Sequence, residues 1–393
     1  MQAFARKRDG RNIEVFIVKK LQEPDLDFIR YVKKAGGADL NKCYQCATCS
    51  VVCELSPDHK PFPRKEMIWA SWGQKERLIK DPDVWLCHQC NDCTVHCPRG
   101  ARPGDVLAAV RSYVFSENSY PRFMGRALAS PKALPILLLV PILVIGAIML
   151  GFADFEAVDM GLGAAVDYNN FIPHGWIEGL FITGNVLILA FAAVGLIRFW
   201  RGLKETFPDQ EVPGFIPSAI LAVKEIITHE NFNKCVTNKA RAYAHFMVLF
   251  GFLGSMATAG LALLWTVVLG HHSPIDLPNL IKVVGSVSGL MLLIGLGIIF
   301  VRRFADRDRV GANGYSDWLF LYVLAIVGFT GLILQFLRMG GLAAAAYITY
   351  FIHLVFVFFL LWYAPYSKFA HMFYRTLAMI YARGINRRPK SLR

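Results

Sequence analysis

Between residues 134 and 366 the chain passes through six stretches in which charged residues almost vanish: 134–153, 176–199, 245–269, 280–301, 318–337 and 343–366. Each is close to the ~20 residues that a helix needs to cross the hydrocarbon core of a bilayer, so the pattern predicts six membrane spans. Only residues 338–342 separate the fifth from the sixth, which predicts a tight hairpin. The connection from Arg201 to Arg241 is long and polar, and residues 216–228 within it have the spacing of an amphipathic helix on a membrane surface. Residues 1–130 read as a charged, water-facing domain. Within it, residues 64–80 read as one helix with apolar Met67, Ile68, Trp69, Trp72, Leu78 and Ile79. The expected fold is mostly α, with a compact domain over 1–130 and a six-helix membrane bundle over 131–393.

Composition supports this division. Over 393 residues, 55% are hydrophobic, too many for an ordinary water-soluble protein. A formal net charge of +13 raises the question of nucleic acid, but the basic residues sit at the ends of apolar stretches. Arg198, Arg201, Lys204, Lys224, Lys234, Lys239 and Arg241 flank one set of ends, joined by Arg302, Arg303, Arg307, Arg309 and the tail 383–393. Residues 154–176 and 270–281, at the other ends, contain no lysine or arginine. That asymmetry orients membrane proteins, so the basic ends, both termini and residues 1–130 are expected in the cytoplasm, with the bundle in the inner membrane. Residues 1–30 are charged throughout and lack the apolar core of a signal peptide.

Eight of the nine cysteines lie between Cys43 and Cys97, in two runs of identical spacing. Cys43, Cys46, Cys49 and Cys53 recur, shifted by 44 positions, as Cys87, Cys90, Cys93 and Cys97, the last followed by Pro98. This C-x2-C-x2-C-x3-C run holds [4Fe–4S] clusters, with the fourth cysteine reaching the other cluster. One cluster is therefore assigned Cys43, Cys46, Cys49 and Cys97, and the second Cys87, Cys90, Cys93 and Cys53. Zinc ribbons use paired knuckles and have no need of the third cysteine at the same interval, and a reducing compartment disfavours disulfides. Glu54 stands where proline is usual after Cys53, which removes no ligand. His88 and His96 fall inside the second run and, with eight thiolates present, are read as packing or solvent-facing.

Ionisable groups at membrane depth are costly and mark function. His353 lies within the sixth apolar stretch and His371 follows 18 residues later. On one continuous helix the two are ~27 Å apart and share a face, suited to ligating two stacked haems. His245, at the basic end of the third stretch, is paired with His371; His174, at the other end of the second, is paired with His353. His271 and His272 are alternatives to His174. His59 and His229 read as surface residues and Cys235 as a structural or surface thiol. Glu178, Asn185 and Gln335 are span residues read as structural or interhelical rather than quinone-binding.

The stretches Lys42-Cys43-Tyr44-Gln45-Cys46-Ala47-Thr48-Cys49 and Cys87-His88-Gln89-Cys90-Asn91-Asp92-Cys93 resemble the C subunits of heterodisulfide reductases. The membrane half resembles cytochromes b of the nitrate reductase gamma and heterodisulfide reductase E type. The two histidines 18 apart match the last span of those cytochromes, while an earlier span has two histidines 10 apart, of which His245 fits the first and Ser255 occupies the second. The fusion resembles the C-subunit family of the quinone-interacting membrane-bound oxidoreductase (Qmo) complexes of sulfate reducers. That resemblance implies two [4Fe–4S] clusters and two b haems. It also implies menaquinol as electron donor, flavin-containing A and B subunits as partners, and adenylylsulfate reductase as eventual acceptor. Two other classes compete: a non-catalytic membrane anchor with structural or sensing clusters, and a redox-gated transporter. The span histidines speak against the anchor, and the scarcity of midplane carboxylates against the transporter.

Overall fold

In a computed structural model of the protein, the described residues are 3–8, 11–16, 23–206, 214–233, 239–271, 275, 277–306, 310–312 and 314–387, the first two segments by backbone alone. Lys234, Cys235, His272, Arg307 and Arg309, all singled out above, lie outside them. Ala3–Arg8 and Arg11–Phe16 pair as an antiparallel hairpin, Ala3 opposite Phe16; the rest of the described chain is essentially helical.

Six helices are long and apolar enough to cross a membrane: Pro131–Phe152, His174–Thr206, Lys239–Val268, Leu280–Ala305, Tyr315–Met339 and Ala343–Trp362. They coincide with the six predicted stretches, with the second and third extended by a turn or more at their polar ends. Much of their apolar surface, including Ile136, Leu143 and Leu150, faces outward, as expected where lipid rather than protein covers the helix. Spans three and four lie in close contact because glycine permits it. A Cβ on Gly251 would sit 2.6 Å from the backbone nitrogen of Leu292, and one on Gly295 2.8 Å from the carbonyl of Ala244.

The sixth span differs from expectation. It ends at Trp362, and the chain continues through two short 3-10 turns, Ala364–Tyr366 and Lys368–Ala370, before a new helix begins at His371 and runs to Gly384. Pro365 has no N–H to continue the ladder, and its ring excludes a helical carbonyl beneath it. The break is held by Tyr363, whose hydroxyl donates to the Leu137 carbonyl at 3.1 Å, and Tyr366, which donates to the Tyr120 carbonyl at 2.8 Å. His353 and His371 therefore sit on two helices, not on one face of a single helix as their interval suggested.

The predicted helix over 64–80 is also two pieces, Arg64–Ser71 and Lys75–Ile79. Gly73 between them has φ +63°, and a Cβ there would meet the Asp25 backbone nitrogen at 2.7 Å. The amphipathic surface helix appears as Phe215–Thr228.

The cysteine-bearing region packs onto one end of the bundle. A single core joins Phe28, Val32, Trp85, Val106 and Val110 to Phe199 and Leu203 of the second span and to Tyr374 and Tyr381 of the terminal helix. Trp85 stacks on Tyr374 with ring centres 5.2 Å apart. Lys80 Nζ lies 2.6 Å from Glu205 Oε2, and Thr206 Oγ1 donates to the Lys80 carbonyl at 3.1 Å. The basic ends of the spans thus gather at the cysteine-bearing end, and the segment around Leu162 and Leu342 marks the far end.

Candidate functional site: paired thiol loops above a histidine-lined cavity

The two cysteine runs repeat in backbone as well as in spacing. Gln45 and Ala47 adopt left-handed φ of 60° and 70°, and their counterparts 44 positions on, Gln89 and Asn91, adopt 53° and 67°. Such strain at non-glycine residues is retained where the surroundings demand it. Here it curls each loop around its thiols and leads into a short helix, Thr48–Val51 in one and Asp92–Val95 in the other. None of the eight thiols forms a disulfide. The thiols acting electrostatically on Cys49 are Cys43, Cys46 and Cys97, and Cys87 and Cys53 are foremost on Cys93. The fourth cysteine of each run, Cys97 or Cys53, is thus among the neighbours of the third cysteine of the other run. Burial pushes the Cys49 thiol up to about 11, so it is protonated unless a cation sits against it.

The spacing of the thiols argues against zinc. Among the described residues no three of them come within 4.8 Å of one another, whereas a tetrahedral zinc ion at ~2.3 Å from each sulfur needs sulfurs ~3.8 Å apart. A four-iron cubane, whose thiolates bind different irons, does not need that close approach. The Gln45 amide donates to Cys43 Sγ at 3.2 Å and the Ala101 N–H to Cys97 Sγ at 3.4 Å, contacts of the kind that tune such a cluster.

Three arginines hold the second loop, Arg111 from within the cysteine-bearing domain and Arg241 and Arg375 from the membrane half. Arg111 donates to the Val84 carbonyl at 2.9 Å and to Gln89 Oε1 at 3.1 Å. Arg375, on the terminal helix, donates to the Cys87 carbonyl at 2.6 Å. Arg241, at the start of the third span, donates to the Gln89 carbonyl. His88 is buried beneath them; desolvation, then Arg375, holds it well below the usual histidine range. It is a neutral packing group, whereas His96 is exposed, as expected.

Below this loop lies a cavity of ≈ 260 Å³ that His88, His245 and His371 all line. Its walls include Val248, Phe252, Leu319, Phe320 and Leu324, and its polar rim includes Arg302, Arg303 and the ion pair of Lys368 with Asp317. His371 Nδ1 lies 2.6 Å from the Lys368 carbonyl. A carbonyl only accepts, so Nδ1 carries the proton and Nε2 offers a lone pair, the arrangement of a metal-held imidazole. Burial, then Arg375, pushes His371 down to about 3, keeping the ring neutral. Arg303 Nη1 is buried without a hydrogen-bond partner among the described residues, which suits a ligand carrying carboxylates. The residues present fit a haem, with the imidazoles of His245 and His371, an apolar pocket and one guanidinium nitrogen of Arg303 left without a hydrogen bond.

His229 corrects the sequence reading. It is 5% exposed rather than a surface residue, and its Nε2 lies 3.0 Å from His245 Nδ1. Phe232 stacks on His245 and meets His88 edge-on, both with ring centres 4.6 Å apart. Neither residue was legible from the sequence, because the surface helix that carries them back to the third span leaves no periodic signal linking them to His245.

Towards the far end, His353 Nδ1 lies 2.9 Å from Thr330 Oγ1, which itself donates to the Ile326 carbonyl at 2.6 Å. The Thr330 oxygen thus accepts from Nδ1, and Nε2 of His353 is again the bare nitrogen. His174 opens the second span, where its N–H donates to Asn169 Oδ1 at 3.0 Å, and the structure does not bring it into hydrogen-bond or ring contact with His353. Four residues on, Glu178 accepts from Thr266 Oγ1 of the third span at 3.1 Å. Gln335 accepts from Ser286 Oγ at 2.9 Å, and Ser255 reaches Ser288 Oγ at 3.5 Å. These are the interhelical roles expected of span polar groups. His271 stacks on Trp265 with ring centres 4.0 Å apart.

Comparison with known proteins fits both ends of this architecture. Residues 39–101 match the family model described as 4Fe-4S dicluster domain. The C subunit of the H(2):CoB-CoM heterodisulfide,ferredoxin reductase of Methanothermobacter marburgensis is 36% identical over 89 residues, 22% of this chain and 48% of that protein. An Archaeoglobus profundus protein described as like the C subunit of heterodisulfide reductase is 34% identical over 110 residues, 28% of this chain and 58% of its own. The chain thus spans about half the length of these relatives. Citrate utilization protein B of Escherichia coli is 24% identical over 324 residues, 75% of this chain and 80% of that protein. No solved structure matches. The model described as Citrate utilization protein B matches residues 126–392, more than half of the chain and the whole of its membrane-spanning part; the chain belongs to the citrate utilization protein B family.

Proposed function

We propose that this protein is a membrane electron-transfer subunit that links menaquinol to flavin-containing partner subunits of a respiratory complex, in a system whose eventual acceptor is adenylylsulfate reductase. The observation that carries the reading is that His245 and His371 line one cavity whose roof is the Cys87 loop. In this reading Cys43, Cys46, Cys49 and Cys97 hold one [4Fe–4S] cluster, and Cys87, Cys90, Cys93 and Cys53 the other. His245 and His371 hold a b haem near the cysteine-bearing end, and His353 with His174 a second one towards the far end. When bound, each of these groups exchanges single electrons. The chain's own residues supply the apolar walls of the cavity, fix the free nitrogens of His245, His353 and His371, and clamp the second cysteine loop with Arg111, Arg241 and Arg375. The basic ends and the cysteine-bearing domain lie on the cytoplasmic side of the inner membrane, by the charge asymmetry of the loops.

The similarity of the dicluster region to heterodisulfide reductase C subunits favours a second reading equally well, in which the chain is the membrane subunit of a heterodisulfide-reductase-type complex. Both readings require haem, iron and acid-labile sulfide in the purified protein. The test is the dithionite-reduced visible spectrum with iron and sulfide analysis. A b-type α-band and both elements are expected; a protein without porphyrin sinks both readings and leaves a membrane anchor. Purification from native membranes then separates them by whether a flavoprotein of the first system or a heterodisulfide-reducing subunit comes down with it.

A further inference from the structure

His229 occupies an unusual place. It caps the C-terminus of the surface helix in a left-handed conformation, φ +52°, with its N–H on the Ile226 carbonyl. The conformation turns the imidazole inward, where it is packed against Phe232 and Phe246 with ring centres 5.4 and 5.3 Å away. Its Nδ1 lies 3.3 Å from the Ile227 carbonyl, and its Nε2 lies 3.0 Å from His245 Nδ1.

The hydrogen positions follow from the ends of this chain of contacts. The Ile227 carbonyl can only accept, so His229 carries its proton on Nδ1 and presents a bare Nε2. His245 Nδ1 must then donate to that nitrogen, which leaves His245 Nε2 unprotonated. His371, which lines the same cavity, is fixed by the Lys368 carbonyl directly. His245 is fixed at one remove, through a second imidazole that the end of the surface helix holds in place.

We propose that His229 is the positioning residue of the haem site. It fixes the tautomer and plane of His245 so that Nε2 meets the iron, and by accepting the Nδ1 proton it raises the electron-donating power of that ligand. This deepens the haem reading of the cavity and rests on it. An acceptor behind a metal-bound imidazole favours the oxidised metal, so its removal makes the iron easier to reduce.

The test uses full-length detergent-purified protein carrying His229→Phe, which fills the space without an acceptor, and His229→Gln, whose amide oxygen can accept from His245 Nδ1. The readouts are haem per chain, redox titration of the α-band, and the low-spin ferric g-values. His229→Phe is expected to raise the midpoint of one haem and shift its g-values, or to lose that haem, while His229→Gln stays close to wild type. An unchanged midpoint and unchanged g-values in His229→Phe at full haem content overturn the proposal, and so does haem loss in both variants. Wild-type protein without haem overturns the underlying reading instead, a result distinguishable from either.

Discussion

Arg387, just beyond the terminal helix, donates from Nε to Asp83 Oδ1 at 2.7 Å in the interior of the cysteine-bearing domain. Its other nitrogens reach the His59 carbonyl at 2.9 Å and the Lys60 carbonyl at 2.7 Å. The same Asp83 accepts from Lys65 Nζ at 2.8 Å. The C-terminal segment is thereby anchored in the domain that the N-terminal part of the chain builds.

Breaking a buried pair by deleting one partner leaves the other charge without compensation, which costs about 3–5 kcal/mol. Lys65 still pairs with Asp83 when Arg387 is removed, so Arg387→Ala is expected to destabilise the domain by less than that full amount. Arg387→Lys should lose less, since one charge remains but the fork of donors does not. Thermal unfolding in detergent, followed by absorbance of the clusters, measures both.

Beside this pair, Glu66 is fully buried, and desolvation raises its carboxyl to about 8 against the opposing pull of Lys65, with Asp81 and Asp83 adding to the rise. A carboxyl whose folded value lies above its unfolded value of 4.5 holds a proton in the folded state that the unfolded chain has lost. Its contribution to stability therefore falls as pH rises from about 4.5 to about 8 and is level above that. Glu66→Gln removes this component, so the slope of melting temperature against pH over that window should become less negative than in the wild type. An unchanged slope shows that Glu66 is ionised throughout.

The crossed cysteine sets make a prediction that a side-by-side arrangement does not share. Cys97→Ser should perturb the cluster built on Cys43, Cys46 and Cys49, and leave the signals of its sequence neighbours Cys87, Cys90 and Cys93 intact. Cys53→Ser should do the reverse. Low-temperature EPR of the reduced variants, with iron analysis, distinguishes the two.

Haem content tests the histidines separately. His371→Ala should remove the haem nearest the cysteine loops and His353→Ala the other, each halving the pyridine haemochrome yield per chain. A wild-type yield of one haem, lost in His371→Ala and kept in His353→Ala, eliminates the His353–His174 site. Gly295→Val offers a control by shape alone. Its side chain would meet the Ala244 carbonyl, Met247 Cβ and the Val248 nitrogen within 2.9 Å, so the third span must move, and the haem beside His245 should be lost although no ligand has changed.

The six spans were legible because apolar length is a local property, and bilayer thickness sets one scale for every helix. The duplicated cysteine runs were legible for a related reason: a rigid inorganic core dictates ligand spacing over a few residues. Helix continuity was harder to read. The 18-residue interval from His353 to His371 has the right arithmetic for one face, yet Pro365 and the tyrosine anchors at 363 and 366 interrupt it. The composition of 64–80 similarly suits one helix, but the approach of Asp25 to Gly73 splits it.

What the sequence determined alone was therefore everything that depends on neighbours in the chain: span count, cysteine spacing and the amphipathic surface segment. The tertiary structure decided which groups meet. It placed His229 against His245, gathered Arg111, Arg241 and Arg375 around the Cys87 loop, and buried Arg387 beside Asp83. Those pairs are separated by up to 304 residues, and each forms because a buried polar group must find a partner in space, a requirement that leaves no periodic trace along the chain.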